Sequence, residues 1–250
     1  LPKLENLNIS YNLLQHLPTF SKTITTIDAS HNQIIDIDTS IIDAENLDCF
    51  NASYNCIKEI PPLPHNLKRV FLNNNQIEKI DEFSVSKSLI EFKIDNNKIT
   101  EIPSTLKNHF STQNLRFNSF KIFDLSIFIS NIREVNLSMC DLTEFPSNAF
   151  KMRSLSTLIL YGNNIDQIPS EFSTSHLTSL DISMNPISEL PRIPQRMLNL
   201  RINHCNVTDI CNSIPDNNNL KFFHAVGNKI SKLPRFDKIE ELFVSGNKIT

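Results

Sequence analysis

A single pattern of eleven positions, L-x-x-L-x-L-x-x-N-x-L, recurs twelve times along this chain of 250 residues. It first appears as Leu4, Leu7, Ile9, Asn12 and Leu14, and last as Ile239, Leu242, Val244, Asn247 and Ile249. The ninth position falls at Asn12, Asn32, Asn55, Asn75, Asn97, Asn118, Cys140, Asn163, Asn185, Cys205, Asn228 and Asn247. Successive pivots are 19 to 23 residues apart. So regular a period, built on so long a motif, predicts a solenoid in which each repeat buries its apolar side only against its neighbours.

The spacing of the apolar residues sets the local geometry. Positions 4 and 6 are two apart, so both point to one face of a short extended strand while positions 3, 5 and 7 point to the other. In Leu67 to Ile77, this turns Val70 and Leu72 inward and Arg69, Phe71 and Asn73 outward. Past the strand the chain turns, leaving backbone groups without ladder partners. A carboxamide at position 9 carries two donors and an acceptor for them. The twelve pivots are therefore read as structural: a ladder of stacked amides, with a thiol standing in at Cys140 and Cys205.

Six residues beyond the pivots stand Pro18, Asp38, Pro61, Asp81, Pro103, Asp124, Pro146, Pro169, Pro191, Cys211 and Pro234. Proline suits extended crossings such as Pro61 to Pro64 and Pro191 to Pro194. Asp38, Asp81 and Asp124 read better as caps of short helical turns. The side away from the strands is thus expected to mix extended, 3-10 and short helical segments.

Composition narrows the function classes. A formal charge of −3 gives no electrostatic footprint for nucleic acid, and no run of eighteen apolar residues marks a membrane span. The three glycines, Gly162, Gly227 and Gly246, each precede a pivot asparagine, so they serve turns and leave no phosphate-cradling loop. No metal-ligand or nucleophile motif appears, which predicts no cofactor, no metal and no catalysis within these residues. Cys205 should face the core and His204 away from it, which counts against a metal reading of that pair. The five cysteines form no clustered pattern that compels disulfides, although Cys205 and Cys211 lie near enough in sequence to approach. Sequons at Asn8, Asn51 and Asn136 arise from the repeat itself, and a fourth stands at Asn206. They are read as accidents of a cytoplasmic protein.

If the chain works by contact, the outward strand face, concave in a curved solenoid, is the surface to examine. Most of it is small and polar. The exceptions are Ile159 with Tyr161, and Phe222, Val226 and Phe243 with Arg201 and His224 between the two groups, while Arg69 and Phe71 form a separate pair. Aromatic and arginine side chains amid polar neighbours have the composition of interface hot spots. These nine residues are the candidate partner-binding site.

The whole chain resembles the leucine-rich-repeat superfamily. Short repeats such as Ile60 to Val70 look like the bacterial type, and those of 22 to 23 residues, such as Leu155 to Pro169, look like those of intracellular Ras-scaffold proteins. The resemblance implies an α/β horseshoe solenoid: one domain over residues 1–250, its parallel sheet concave, its convex side extended, 3-10 or short helical. With Leu4 opening a repeat and Thr250 inside one, both ends are expected to be uncapped and the chain to be part of a larger protein. The implied function is binding a partner protein in intracellular signalling, as scaffold or targeting module, with a monomer favoured. A regulatory arm of a larger enzyme, such as a type 2C serine/threonine phosphatase, a kinase or an E3 ligase, is the alternative. An extracellular recognition receptor is a third.

Overall fold

The computed structural model describes residues 3–81, 88–103, 113–114, 118–125, 132–216 and 218–250. The chain falls into two compact units, the first formed in the main by the chain up to Ser119 and the second from Phe120 onward.

Every described strand is short and sits at motif positions 3 to 5. In the first unit β1 (Asn6–Asn8), β2 (Thr26–Asp28), β3 (Cys49–Asn51), β4 (Arg69–Phe71) and β5 (Glu91–Lys93) pair in chain order, all parallel. A two-residue strand, β6 (Gln113–Asn114), follows. In the second unit β7 (Glu134–Asn136), β8 (Thr157–Ile159), β9 (Ser179–Asp181), β10 (Asn199–Arg201), β11 (Phe222–His224) and β12 (Glu241–Phe243) also pair in order and in parallel. The register pairs equal motif positions, Leu200 with Leu180 and with Phe223 for example. The apolar columns of successive repeats therefore stack.

Those columns are the core. Ile24, Ile27, Ala29 and Ile34 of the second repeat, and Leu67, Val70, Leu72 and Ile77 of the fourth, are buried at motif positions 1, 4, 6 and 11. Leu177, Leu180, Ile182 and Ile187 repeat the arrangement in the second unit. Burial of each Leu, Ile or Val side chain among them contributes about 1.5–3 kcal/mol. Behind the strands of the second unit the rings of Phe145, Phe150 and Phe172 run from one repeat to the next, with centroids 5.3 and 6.3 Å apart.

The pivot amides stitch neighbouring repeats. Nδ2 of Asn185 donates to the carbonyls of Leu160 (2.9 Å), Ile182 (3.0 Å) and Ser183 (3.2 Å), and its Oδ1 accepts the Ile165 N–H at 3.0 Å. Asn32, Asn55, Asn97 and Asn228 hold equivalent bonds. At position 8, one residue before the pivot, every described repeat turns through positive φ: Tyr11, His31, Tyr54, Asn74, Asn96, Met139, Gly162, Met184, His204, Gly227 and Gly246. This left-handed residue is what turns the chain off the strand, and most repeats accept a non-glycine side chain there.

The segments opposite the strands need one revision. Asp38 does cap a 3-10 turn, Thr39–Asp43, its carboxylate accepting the Ser40 N–H at 2.8 Å. Pro61 to Pro64 and Pro191 to Pro194 are without helical structure, as their prolines imply. Pro146 and Pro169, however, lead into 3-10 turns, Ser147–Lys151 and Ser170–Thr174. A proline at a helix entry loses no hydrogen bond, since the N–H it lacks would have had no partner there. Proline at this position thus fits either crossing. The residues following Asp81, and most of those following Asp124, lie outside the described residues.

Candidate functional site

The solvent-facing side of the strands carries three rows, from positions 3, 5 and 7, and intramolecular bonds consume much of the first unit's share. Arg69 donates to the Asp48 carboxylate at 2.9 Å, alongside Lys68 at 2.7 Å. Those bonds, Lys68's first and then Arg69's, hold the Asp48 carboxyl below the ordinary aspartate range. Lys93 lies over the Phe71 ring, 4.9 Å from its centroid, and pairs with Glu91 at 3.1 Å. Arg69 and Phe71 therefore both have partners within the chain. Burial, the largest influence on the neighbouring Cys49 thiol, pushes it up.

Position 7 is less outward than the alternation implies. Ser30, Ser53, Ser138 and Ser183 are buried, and so is Asp95, which the pattern places on the open face. The reason is a local turn. The side-chain oxygen at position 5 accepts the N–H at position 7: Asn8 from Ser10, Asp28 from Ser30, Asn51 from Ser53, Asn136 from Ser138 and Asp181 from Ser183, at 3.0 to 3.1 Å. In all but the last, the serine hydroxyl donates to the same oxygen at 2.6 to 2.7 Å. Asp28 and Asp181 fill the place that asparagine fills in the three repeat-borne sequons, so N-x-S here is a turn preference shared with D-x-S.

In the second unit position 5 forms one in-register row: Asn136, Ile159, Asp181, Arg201, His224 and Phe243. Phe243 is 52% exposed and Tyr161 36%, Arg201 is exposed, and Ile159, Phe222, His224 and Val226 are half-buried. The His224 ring lies against Phe243 with centroids 4.5 Å apart, and its Nε2 is 3.4 Å from the Glu241 carboxylate. Asn203 accepts the Val226 N–H at 2.9 Å and fixes that rim. Phe222, His224, Val226 and Phe243 form one continuous patch. Ile159 and Tyr161 stand two strands from Arg201, with Asp181 between.

A second aromatic feature escapes single-repeat reading. Tyr11, His31 and Tyr54 form a column of parallel rings, both centroid separations 4.2 Å and the planes within 10°. All three occupy position 8, so aligning the repeats on their pivots would have shown the column in the sequence. Among the described residues no group of three or more His, Cys, Asp and Glu could hold a metal, and all five cysteines are free thiols. Cys205 is buried and its thiol pushed up by that burial, while Cys211 is exposed. An open cleft of about 500 Å³ beside Asp166, Gln167, Ser188 and Glu189 lies away from the strands. No helix among the described residues is long and apolar enough to cross a membrane.

Comparison with known proteins agrees with this geometry. Residues 45–85 match the family model of leucine-rich repeats in two copies, and residues 154–175 that of the single leucine-rich repeat. The chain is 30% identical over 112 residues to the platelet glycoprotein Ib alpha chain of Mus musculus, and 24% identical over 170 residues to the disease resistance-like protein DSC1 of Arabidopsis thaliana. These matches cover 43% and 64% of the chain but only 15% and 13% of those proteins. Among solved structures, the APL1 leucine-rich repeat domain superposes with a TM-score of 0.77 at 18% identity, over 98% of this chain and 68% of that one. A leucine-rich-repeat protein of Leptospira interrogans gives 0.73 at 21% identity, over 96% and 71%. Residues 45–85 and 154–175 are thus leucine-rich repeats, and the in-register parallel strands within each unit give the chain the fold of its leucine-rich-repeat neighbours.

Proposed function

We propose that this chain binds a partner protein on the solvent-facing strand side of its second unit, through Ile159, Tyr161, Arg201, Phe222, His224, Val226 and Phe243. Protein interaction is the general role of the fold, and a leucine-rich-repeat FLRT2 is found in complex with latrophilin 3 and Unc5D. The observation that carries the placement is the exposed Phe243 ring joined to half-buried Phe222, His224 and Val226 on adjacent strands. Rigid aromatic groups in a polar surround lose little entropy on binding and carry much of the energy of an interface. Arg69 and Phe71 are demoted to the margin of the proposal, because Asp48 and Lys93 already engage them.

The setting we favour is cytoplasmic, with the repeats scaffolding or targeting a signalling protein. The Asn8, Asn51 and Asn136 sequons support it in one respect, since turn chemistry accounts for them without a glycan. The test is capture of partners by the wild type and by Tyr161→Ala and Phe243→Ala variants. Proteins kept by the wild type and lost by both variants would support the placement. Identical partner sets for all three would overturn it.

A further inference from the structure

Three Lys or Arg side chains stand at positions 3, 5 and 7 among the described residues, and they differ in one respect. Arg69 is paired with Asp48 and Lys93 with Glu91. Arg201 makes no ion pair and no side-chain hydrogen bond among the described residues. The carboxylate beside it in register, Asp181, directs Oδ1 to the Ser183 N–H and forms no bridge to Arg201. On its other side stands His224, within 3.4 Å of Glu241. The exposed guanidinium of this row therefore stands without a direct partner at its middle, between Ile159 with Tyr161 two strands to one side and Phe243 two strands to the other.

Resting on the binding reading above, we propose that the partner presents an extended segment with an acidic side chain, whose carboxylate pairs with Arg201 while flanking apolar side chains meet Tyr161 and Phe243. A planar guanidinium matches a carboxylate through two parallel N–H···O bonds, and that geometry gives specificity as well as attraction. Four strand steps of about 4.8 Å separate Ile159 from Phe243, a span of roughly 19 Å. An extended segment of about six residues covers it. The acidic residue is thus flanked by apolar residues within about three positions on either side. A lysine or arginine at the same place in the segment would instead bring like charge against Arg201.

The experiment is selection of random dodecapeptides displayed on phage against the whole chain, followed by titration of the recovered peptides. Recovered sequences are expected to carry Asp or Glu between apolar residues. Arg201→Ala should weaken them by about tenfold or more, and Arg201→Glu should restore binding to peptides whose acidic residue is changed to lysine. Circular dichroism of both variants checks that these exposed-site changes leave the fold intact. Peptides that lose affinity with Phe243→Ala but not with Arg201→Ala would overturn the acidic-segment inference alone. Peptides indifferent to both substitutions, or a selection that recovers none, would overturn the placement itself. A wild-type chain whose self-association in sedimentation disappears with Arg201→Ala would put a second copy on this face and overturn the proposal.

Discussion

Asn185 and Cys205 hold the same place in successive repeats, yet only Asn185 supplies an oxygen to the repeat before it. Asn185 Oδ1 accepts the Ile165 N–H at 3.0 Å, whereas the Cys205 thiol makes weak, long bonds, to the carbonyls of Ile182 at 3.5 Å and Asn203 at 3.6 Å. A thiol at this place carries no oxygen to offer the Ile187 N–H, whose counterpart Ile165 N–H bonds a carboxamide oxygen. Cys140 is a milder substitution, because Phe120 N–H finds the Cys140 backbone carbonyl at 2.9 Å instead. The rungs are thus unequal, and their inequality is measurable.

Replacing Asn185 with alanine removes a buried donor set and leaves the Ile165 N–H without its acceptor, so the loss should be about 3 kcal/mol. Cys205→Asn should gain about 1 kcal/mol by completing its rung. Urea denaturation reads both. A Cys205→Asn variant less stable than wild type would show that its surroundings are shaped for sulfur.

Gly227 turns through φ +70°, and an added Cβ would stand 2.5 Å from Nδ1 of His204 one repeat earlier. Gly227→Ala should cost about 1–3 kcal/mol, from the left-handed backbone and the crowding together. Adding His204→Ala removes the crowding and should recover part of that loss. If the double variant is no more stable than Gly227→Ala, the ring contact contributes nothing.

Lys68 and Arg69 hold the Asp48 carboxyl below its ordinary value. An unfolded aspartate titrates near about 3.9, so the stabilisation is fully present above that pH. It is lost as pH falls through the lower midpoint of the folded state. The pair is solvent-accessible, and its worth should stay under about 1 kcal/mol and shrink with salt. NMR titration should show a depressed Asp48 midpoint that rises in Lys68→Ala. An unchanged midpoint in that variant would remove Lys68 as the cause.

The core was legible because a repeat states its own inward positions twelve times: Val70, Leu72, Leu180 and Ile182 are buried where the motif puts them. The left-handed position was hidden, since Tyr11, His31, Met139 and Met184 occupy it as readily as glycine. No composition rule marks a tyrosine as a turn residue. Position 7 was misjudged at Asp95 because alternation holds only while the chain is a strand, and the chain has begun to turn by then. At the candidate site, residue types alone made Arg69 and Arg201 look alike. What separates them is a neighbour one repeat away, Asp48 for one and the Ser183-bound Asp181 for the other. That distinction lies in cross-repeat geometry, which one motif does not record.

The most direct test of the binding surface is hydroxyl-radical footprinting of the chain with and without a captured partner, read by mass spectrometry at each aromatic residue. Tyr161, Phe222 and Phe243 should be protected in the complex, while Tyr11 and Tyr54, exposed in the first unit, should oxidise as before. Protection of Tyr11 and Tyr54 with Phe243 unprotected would contradict the account and move the interface to the stacked rings of the first unit.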